Sequence, residues 1–370
     1  MPSLRLFSVD AEGARTLADW PASLPERGFV WISCAREDLA ALMPQVQACL
    51  QRLCGQSLVD LHVSDLHNAQ LPSHFEPGPH YDLMVFRRLA HSGGESAALT
   101  SGLAPPTRGG PPILRRIVTQ PVACVVLDRV LLSVHPSDCA IRDQYVRQLL
   151  QPGSSGLPAA RSSLPLSSAD LMLRLLGLMV DAYLDLRREL SRQLEHWQAE
   201  LLHPRTRFNR WEALLNTRVS LHQLESVCDD QHQALKQWLE GLDSWHPHEG
   251  LSASGEHDLL RIRSRDVLEH IDRVVQHVRR LEQHIETAVQ MHFNMQSART
   301  NDIMRVLTVL TAIFLPLNLI AGIFGMNFEY IPWLHQVDGF WWTLVSMGGV
   351  ALVMGLVFWR KRYLSRHSGS

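Results

Sequence analysis

No Cys-x-x-Cys spacing occurs among the six cysteines, Cys34, Cys49, Cys54, Cys124, Cys139 and Cys228. They read as reduced thiols in a reducing compartment rather than as a disulfide framework. No sign of charge dominates either: 35 Lys and Arg face 37 Asp and Glu, for a net charge of -2, and no basic arm opens the chain. This balance gives no reason to expect nucleic acid as a partner. Catalytic signatures are missing too, with no GxSxG, no GxxxxGK[ST], no HExxH and no Rossmann fingerprint, so the chain is not expected to be an enzyme. The first residues, MPSLRLFSVDAEGARTL, lack the continuous apolar core of a secretory signal peptide, and nothing there is expected to drive export.

Ionisable residues vanish from two stretches near the end of the 370-residue chain. Val306 to Gly325 holds none, and about 20 such residues at 1.5 Å rise cross a hydrocarbon core of roughly 30 Å. Phe340 to Trp359 is a second run of matching length, with Trp341, Trp342 and Trp359 at its ends, where indoles favour the headgroup layer. The basic residues Arg360, Lys361 and Arg362 follow directly and predict a cytoplasmic tail, while the connecting loop carries Glu329 and Asp338 but no Lys or Arg. Two spans then place both termini in the cytoplasm, in contact with membrane lipid in between.

The rest of the chain divides by pattern. Short apolar runs at 29–36, 82–89, 113–118, 121–127 and 130–135 predict strands, the last two joined by the short connection Asp128-Arg129. Helical patterns lie at Glu37 to Gly55 and Ile141 to Leu150, and a Gly, Ser and Pro-rich loop follows from Gln151 to Ser167. Beyond it, helices are expected over Ala169 to Leu202, over about Arg207 to Trp245, and from near Glu256 to Phe324, the last interrupted only by Pro316 and Gly322. A helix of that length needs packing partners, which oligomerisation can supply. The expected organisation is an α/β domain (1–167), a helical hairpin (168–255), a stalk helix continuing into a first transmembrane helix (256–327), an external loop (328–339), a second transmembrane helix (340–359) and a basic tail (360–370). The fold class is an α+β membrane protein.

One face of the first span differs from the others. Asn301, Met304, Thr308, Thr311, Leu315, Asn318, Gly322 and Gly325 recur at alternating spacings of three and four, which places them on one side of a helix. Two readings fit: small and polar residues that join neighbouring helices in the membrane, or a lining shared by several copies around an ion path. No carboxylate, His or Cys occurs from Val306 to Asn327. A dehydrated Zn²⁺ would want such ligands, whereas a hydrated Mg²⁺ suits amides, carbonyls and hydroxyls.

Histidines gather elsewhere. His62, His67, His74 and His80, near Asp60, Asp65, Glu76 and Asp82, offer ligands for a transition metal but match no ligand motif, and the prolines among them predict a loop entering a strand. His246, His248 and His257 flank the turn before the long helix and read as a helix connection.

Gly325-Met326-Asn327, between a charge-free span and a short loop leading to a second span, resembles the GMN signature of the CorA family of divalent cation channels and transporters. The resemblance runs through Asn301 to Leu334 and Arg360 to Leu364, and more diffusely over Asp65 to Leu89, Val122 to Asp138 and Arg265 to His270. It implies a funnel-shaped homopentamer in a bacterial inner membrane, without resident cofactor, whose cargo and regulator are divalent cations: Mg²⁺, with Co²⁺ or Ni²⁺, or Zn²⁺ coupled to protons as in the related ZntB branch. Gly325, Met326 and Asn327, with Glu329 nearby, would select the ion. Asn301, Met304, Leu307, Leu315 and Asn318 would form successive rings toward the cytoplasm. Asp266, with Glu269 a turn later, would bind regulatory metal between protomers. Gln290 and Trp333 depart from the family by standing where it carries acidic residues. A membrane-anchored scaffold or sensor that conducts nothing is the reading from another class; the polar stripe argues against it.

Overall fold

The computed structural model describes residues 4–10, 13–90, 118–150, 164–202, 211–244, 251–326 and 338–360. They form two compact units, one ending at Glu286 and the other beginning at Thr287.

The first unit is built on a seven-stranded sheet. Its strands are β1 (Leu4–Val9), β2 (Ala14–Leu17), β3 (Phe29–Ala35), β4 (His74–Glu76), β5 (Asp82–Leu89), β6 (Thr119–Val126) and β7 (Val130–His135). They lie in the order β2-β1-β3-β7-β6-β5-β4, with β3 and β7 parallel and all other pairs antiparallel. FVWISCA and VLLSVH are buried along their whole length, as strands covered on both faces must be. Alternation then sorts their side chains. Val30, Ile32 and Cys34 join Leu39, Val46, Cys49 and Leu50 of α1 (Leu39–Cys54) and Leu66 of α2 (Asp60–His67) in one core. Phe7 stacks on Trp31 at 4.9 Å on the opposite face, and Tyr145 of α3 (Ala140–Leu150) meets the same indole edge-on. α1 stops at Gly55, whose left-handed φ of 70° lets its N–H reach the Gln51 carbonyl.

Three long helices complete the unit: α4 (Ser168–Leu202), α5 (Trp211–Ser244) and the first part of α6 (Leu251–Phe324). α4 packs on β3, β5, β6 and β7, and α5 on β4 and β5. The Ser167 hydroxyl accepts the Asp170 N–H at the start of α4, and Ser168 donates to the Leu127 carbonyl at the end of β6. Val267, Ile271, Val274, Val278, Leu281 and Ile285 of α6 are buried at spacings of four and three, a seam that faces helices of the same chain. Contacts such as Trp238 Nε1 to Ser264 Oγ at 3.2 Å and Ser191 Oγ to His277 Nε2 at 2.8 Å mark those neighbours as α5 and α4. Partners for this stretch of the long helix therefore come from within the chain, where the sequence had suggested oligomerisation.

Several boundaries differ from the sequence reading. α6 begins at Leu251, five residues before Glu256; the expected start of α5 near Arg207 and residues 113–117 of one expected strand lie outside the described residues. β1, β2, α2 and β4 were not foreseen. The second unit holds the remainder of α6 and α7 (Gly339–Arg360), both long and apolar enough to cross a membrane, with almost none of their apolar surface buried.

Candidate functional site

From Asn301 on, α6 is divided lengthwise. Val309 is buried, and Ala312, Ile313, Pro316, Leu317, Ile320 and Phe324 are half-buried on one side. The sequence-predicted positions Asn301, Met304, Leu307, Thr308, Thr311, Leu315, Asn318 and Gly322 are all exposed, as are Gly325 and Met326 just beyond the helix. Leu315 reaches 70 % exposure in the single chain. Beside the stripe lies an apolar flank, Ile303, Val306, Leu310, Phe314 and Ile323. Apolar surface on this scale requires a covering of lipid or protein.

The hydroxyl geometry gives the stripe a polarity. Thr308 Oγ1 donates to the Met304 carbonyl at 2.7 Å and Thr311 Oγ1 to the Leu307 carbonyl at 2.8 Å. Each spends its only proton inside the helix and turns oxygen lone pairs outward. Such a surface accepts hydrogen bonds, as the hydration shell of a cation requires. At the end of the helix, Gly325 donates to the Ala321 carbonyl at 2.9 Å, and a Cβ on Gly325 would lie 3.0 Å from that same oxygen. The turn that follows α6 therefore fits glycine with least strain. Asn327, Glu329, Trp333, Lys361 and Arg362 lie outside the described residues, while Arg360 ends α7 fully in the open.

Asp266 and Glu269 sit exposed on α6. Asp266 lies 3.8 Å from His270, whose other nitrogen is 3.5 Å from Asp181 of α4, and Glu269 pairs with Arg273 at 2.5 Å. Within one chain they do not converge on a common point. Gln290 is also exposed on α6.

Among the described residues two groups do converge with metal-ligating atoms within 4.8 Å of one another: Asp65, His74 and Glu76, and His222, Glu225 and Glu282. In the second, Arg279 Nε lies 2.5 Å from Glu225 and already supplies the positive charge. Of the sequence-predicted histidine cluster, His67 hydrogen-bonds its own helix at Val63 and stays out of the first group, and Asp82 accepts the Gly78 N–H instead. His257 caps Leu242 at 2.8 Å, and His246 and His248 lie outside the described residues.

Sequence reasoning missed the buried ionic groups that hold this frame. Arg88, wholly buried, meets Asp138 and Gln120 at 2.7 Å each. Asp170, also wholly buried, lies 2.6 Å from Arg263 Nε, off hydrogen-bond alignment, and 3.3 Å from Arg174. The signal for the first was an arginine pair inside the apolar strand DLMVFRRL.

The fold has close relatives among solved structures. The complete CorA magnesium transporter of Methanocaldococcus jannaschii superposes with a TM-score of 0.69 at 16% identity, covering 100% of this chain and 99% of that one. Full-length CmaX gives a TM-score of 0.64 at 18% identity over 98% and 99%. In sequence, the cobalt/magnesium transport protein CorA of Thermotoga maritima is 37% identical over 100 residues, 27% of this chain and 28% of that relative's length. Residues 106–362, well over half of the chain, match the family described as CorA-like Mg2+ transporter protein, and the chain belongs to that family.

Proposed function

We propose that the chain carries a hydrated divalent cation, Mg²⁺ first and Co²⁺ or Ni²⁺ as further cargo, across a bacterial inner membrane. The observation that carries this reading is the exposed stripe of α6, in which amide, hydroxyl and glycine positions succeed one another without a single carboxylate, imidazole or thiol between Val306 and Met326. Amide and hydroxyl oxygens bond well to coordinated water and poorly replace it, which favours an ion that dehydrates reluctantly. Five copies of α6 around an axis would give the apolar flank neighbours and turn the stripes toward a common path. Leu307 and Leu315 would narrow that path with apolar rings able to gate by dewetting. Gly325, Met326 and Asn327 select at the outer mouth, with Glu329 concentrating cations beside it. Arg360, Lys361 and Arg362 hold the tail, and with it both termini, on the cytoplasmic side.

Asp266 and Glu269 supply the regulatory half of the proposal. Both are exposed and, among the described residues, meet at no common point within their own chain, so a cation bound there would need carboxylates from a neighbouring copy. Cytosolic metal would thus tie protomers together and close the path.

The same fold with Zn²⁺ as cargo, coupled to protons, is favoured by two residues: Gln290 and Trp333 stand where the family carries acidic groups. Uptake of Mg²⁺, Zn²⁺, Co²⁺ and Ni²⁺ into proteoliposomes, measured in parallel, separates the readings. Mg²⁺ entry that falls at least tenfold in Asn327→Ala is the expected result. Zn²⁺ entry alone transfers the assignment to the second reading, and entry of none leaves only a scaffold or sensor.

A further inference from the structure

We propose that Asp65, His74 and Glu76 form a binding site for a divalent transition ion of the zinc class, on the edge of the sheet in the first unit. Two elements build it. In β4, alternation puts His74 and Glu76 on one face and Phe75 on the other. Register settles which face: His74 pairs with Val85 and Glu76 with Leu83, whose side chains enter the core beneath α1 and α2, while Phe75 pairs with Met84 and meets Trp238 of α5 edge-on at 5.6 Å. α2 brings Asp65 to the same side, with His62 three residues earlier on the same helical face.

Hydrogen bonding within the chain prepares these groups without satisfying them. His74 Nδ1 lies 3.0 Å from the Pro72 carbonyl and donates to it, which leaves the lone pair of the neutral ring on Nε2. That nitrogen lies 3.8 Å from Glu76 Oε1, too far for a hydrogen bond and close to the roughly 3.4 Å between two ligands of a tetrahedral ion with bonds near 2.1 Å. Asp65 closes the triangle, all three ligand atoms falling within 4.8 Å of one another. The other oxygen of Glu76 is held by His62 Nε2 at 2.9 Å, and His62 Nδ1 by the Tyr81 hydroxyl at 2.8 Å. Tyr81 itself accepts the Val59 N–H at 3.0 Å, so its proton is directed to Nδ1 and the imidazole donates from Nε2 to the carboxylate. A backbone carbonyl behind the ligating imidazole and a histidine behind the ligating carboxylate are the outer partners that fix metal ligands in place.

Three ligands with half-exposed side chains leave room for water in the fourth position. One imidazole and two carboxylates suit Zn²⁺, Co²⁺ or Ni²⁺, and the nitrogen ligand disfavours Mg²⁺. The other group, His222, Glu225 and Glu282, lacks this character because Arg279 neutralises Glu225.

The test uses the full-length chain in detergent, stripped with chelator and titrated with Zn²⁺ by calorimetry in excess Mg²⁺. Wild type and His67→Ala, a control on the same helix, should each bind one Zn²⁺ per chain more than His74→Ala, and Asp65→Asn should bind that ion at least tenfold more weakly. Zn²⁺ should also raise the melting temperature of wild type and not of His74→Ala. Melting without metal reports whether each variant is folded; if His74→Ala is not, Asp65→Asn decides. Unchanged stoichiometry and affinity in the folded variants, no such ion in wild type, or its displacement by Mg²⁺ would overturn the proposal.

Discussion

His135 ends β7 without any access to solvent, and its imidazole accepts from Ser133 Oγ at 2.7 Å, the same hydroxyl that receives Trp31 Nε1. Burial, and then the guanidinium groups of Arg142, Arg88 and Arg36, push its pKa well below 6.5. The unfolded chain therefore takes up a proton below about pH 6.5 that the folded chain refuses, so this contribution to stability is complete above that pH and is lost as pH falls. A slope of up to about 1.4 kcal/mol per pH unit is expected from this one group. Melting temperature followed from neutral to acidic pH should fall less steeply in His135→Gln than in wild type; parallel curves would contradict the assignment. Little of this was legible beforehand, because VLLSVH reads as an ordinary buried strand and Arg36 and Arg88 come from distant positions. The stripe residues of α6 were legible for the opposite reason: helical period alone fixes which side chains share a face, and no tertiary contact is needed to read it.

At the scale of elements, the start of α4 is tied to α6 by Asp170, Arg174 and Arg263. Asp170 has no exposure, and its second oxygen also accepts the Leu166 N–H. Removing its charge leaves the partly exposed Arg174 and Arg263 without their buried counter-charge, a change expected near the lower end of the roughly 3–5 kcal/mol that breaking a buried pair costs. Asp170→Asn should lower the melting temperature of the detergent-solubilised chain and raise hydrogen exchange along the first turns of α4 and around Arg263; exchange confined to distant elements would contradict the tie. On the same helix Arg265 and Asp266 are exposed, while Arg263 is drawn in toward Asp170. The strands β3, β5, β6 and β7 could be read in sequence because each is a run of buried apolar residues. β2 and β4 could not: ARTL buries no residue fully, and HFE stands between prolines with only Phe75 turned into a core. α2 has a single buried side chain, Leu66, so docking rather than periodicity decides that it is a helix. For the same reason the sequence named eight candidate ligands around His62 to His80 without showing which three meet. That choice is made by the register of β4 on β5.

For the whole molecule, two units divide the labour. The sheet and its three packed helices supply a frame with its own core, and the second unit presents, over 306–324 and along α7, helices whose exposed surface is mainly apolar. Helical period and the absence of charge made the second unit legible from sequence, and the GMN resemblance pointed to its family. The stripe is exposed in the single chain, and on the proposed reading its partners lie in other copies, which one chain's sequence does not supply. If cations travel along this stripe as proposed, they pass Asn318, the sixth of its eight positions, which is exposed and lies in a span with no ionisable residue. The most direct measurement is the rate of Mg²⁺ entry into proteoliposomes containing equal amounts of wild type or Asn318→Leu, both shown to assemble alike. The account predicts at least a tenfold slower entry for the variant, since an apolar ring replaces one that bonds to coordinated water; entry at the wild-type rate would contradict it.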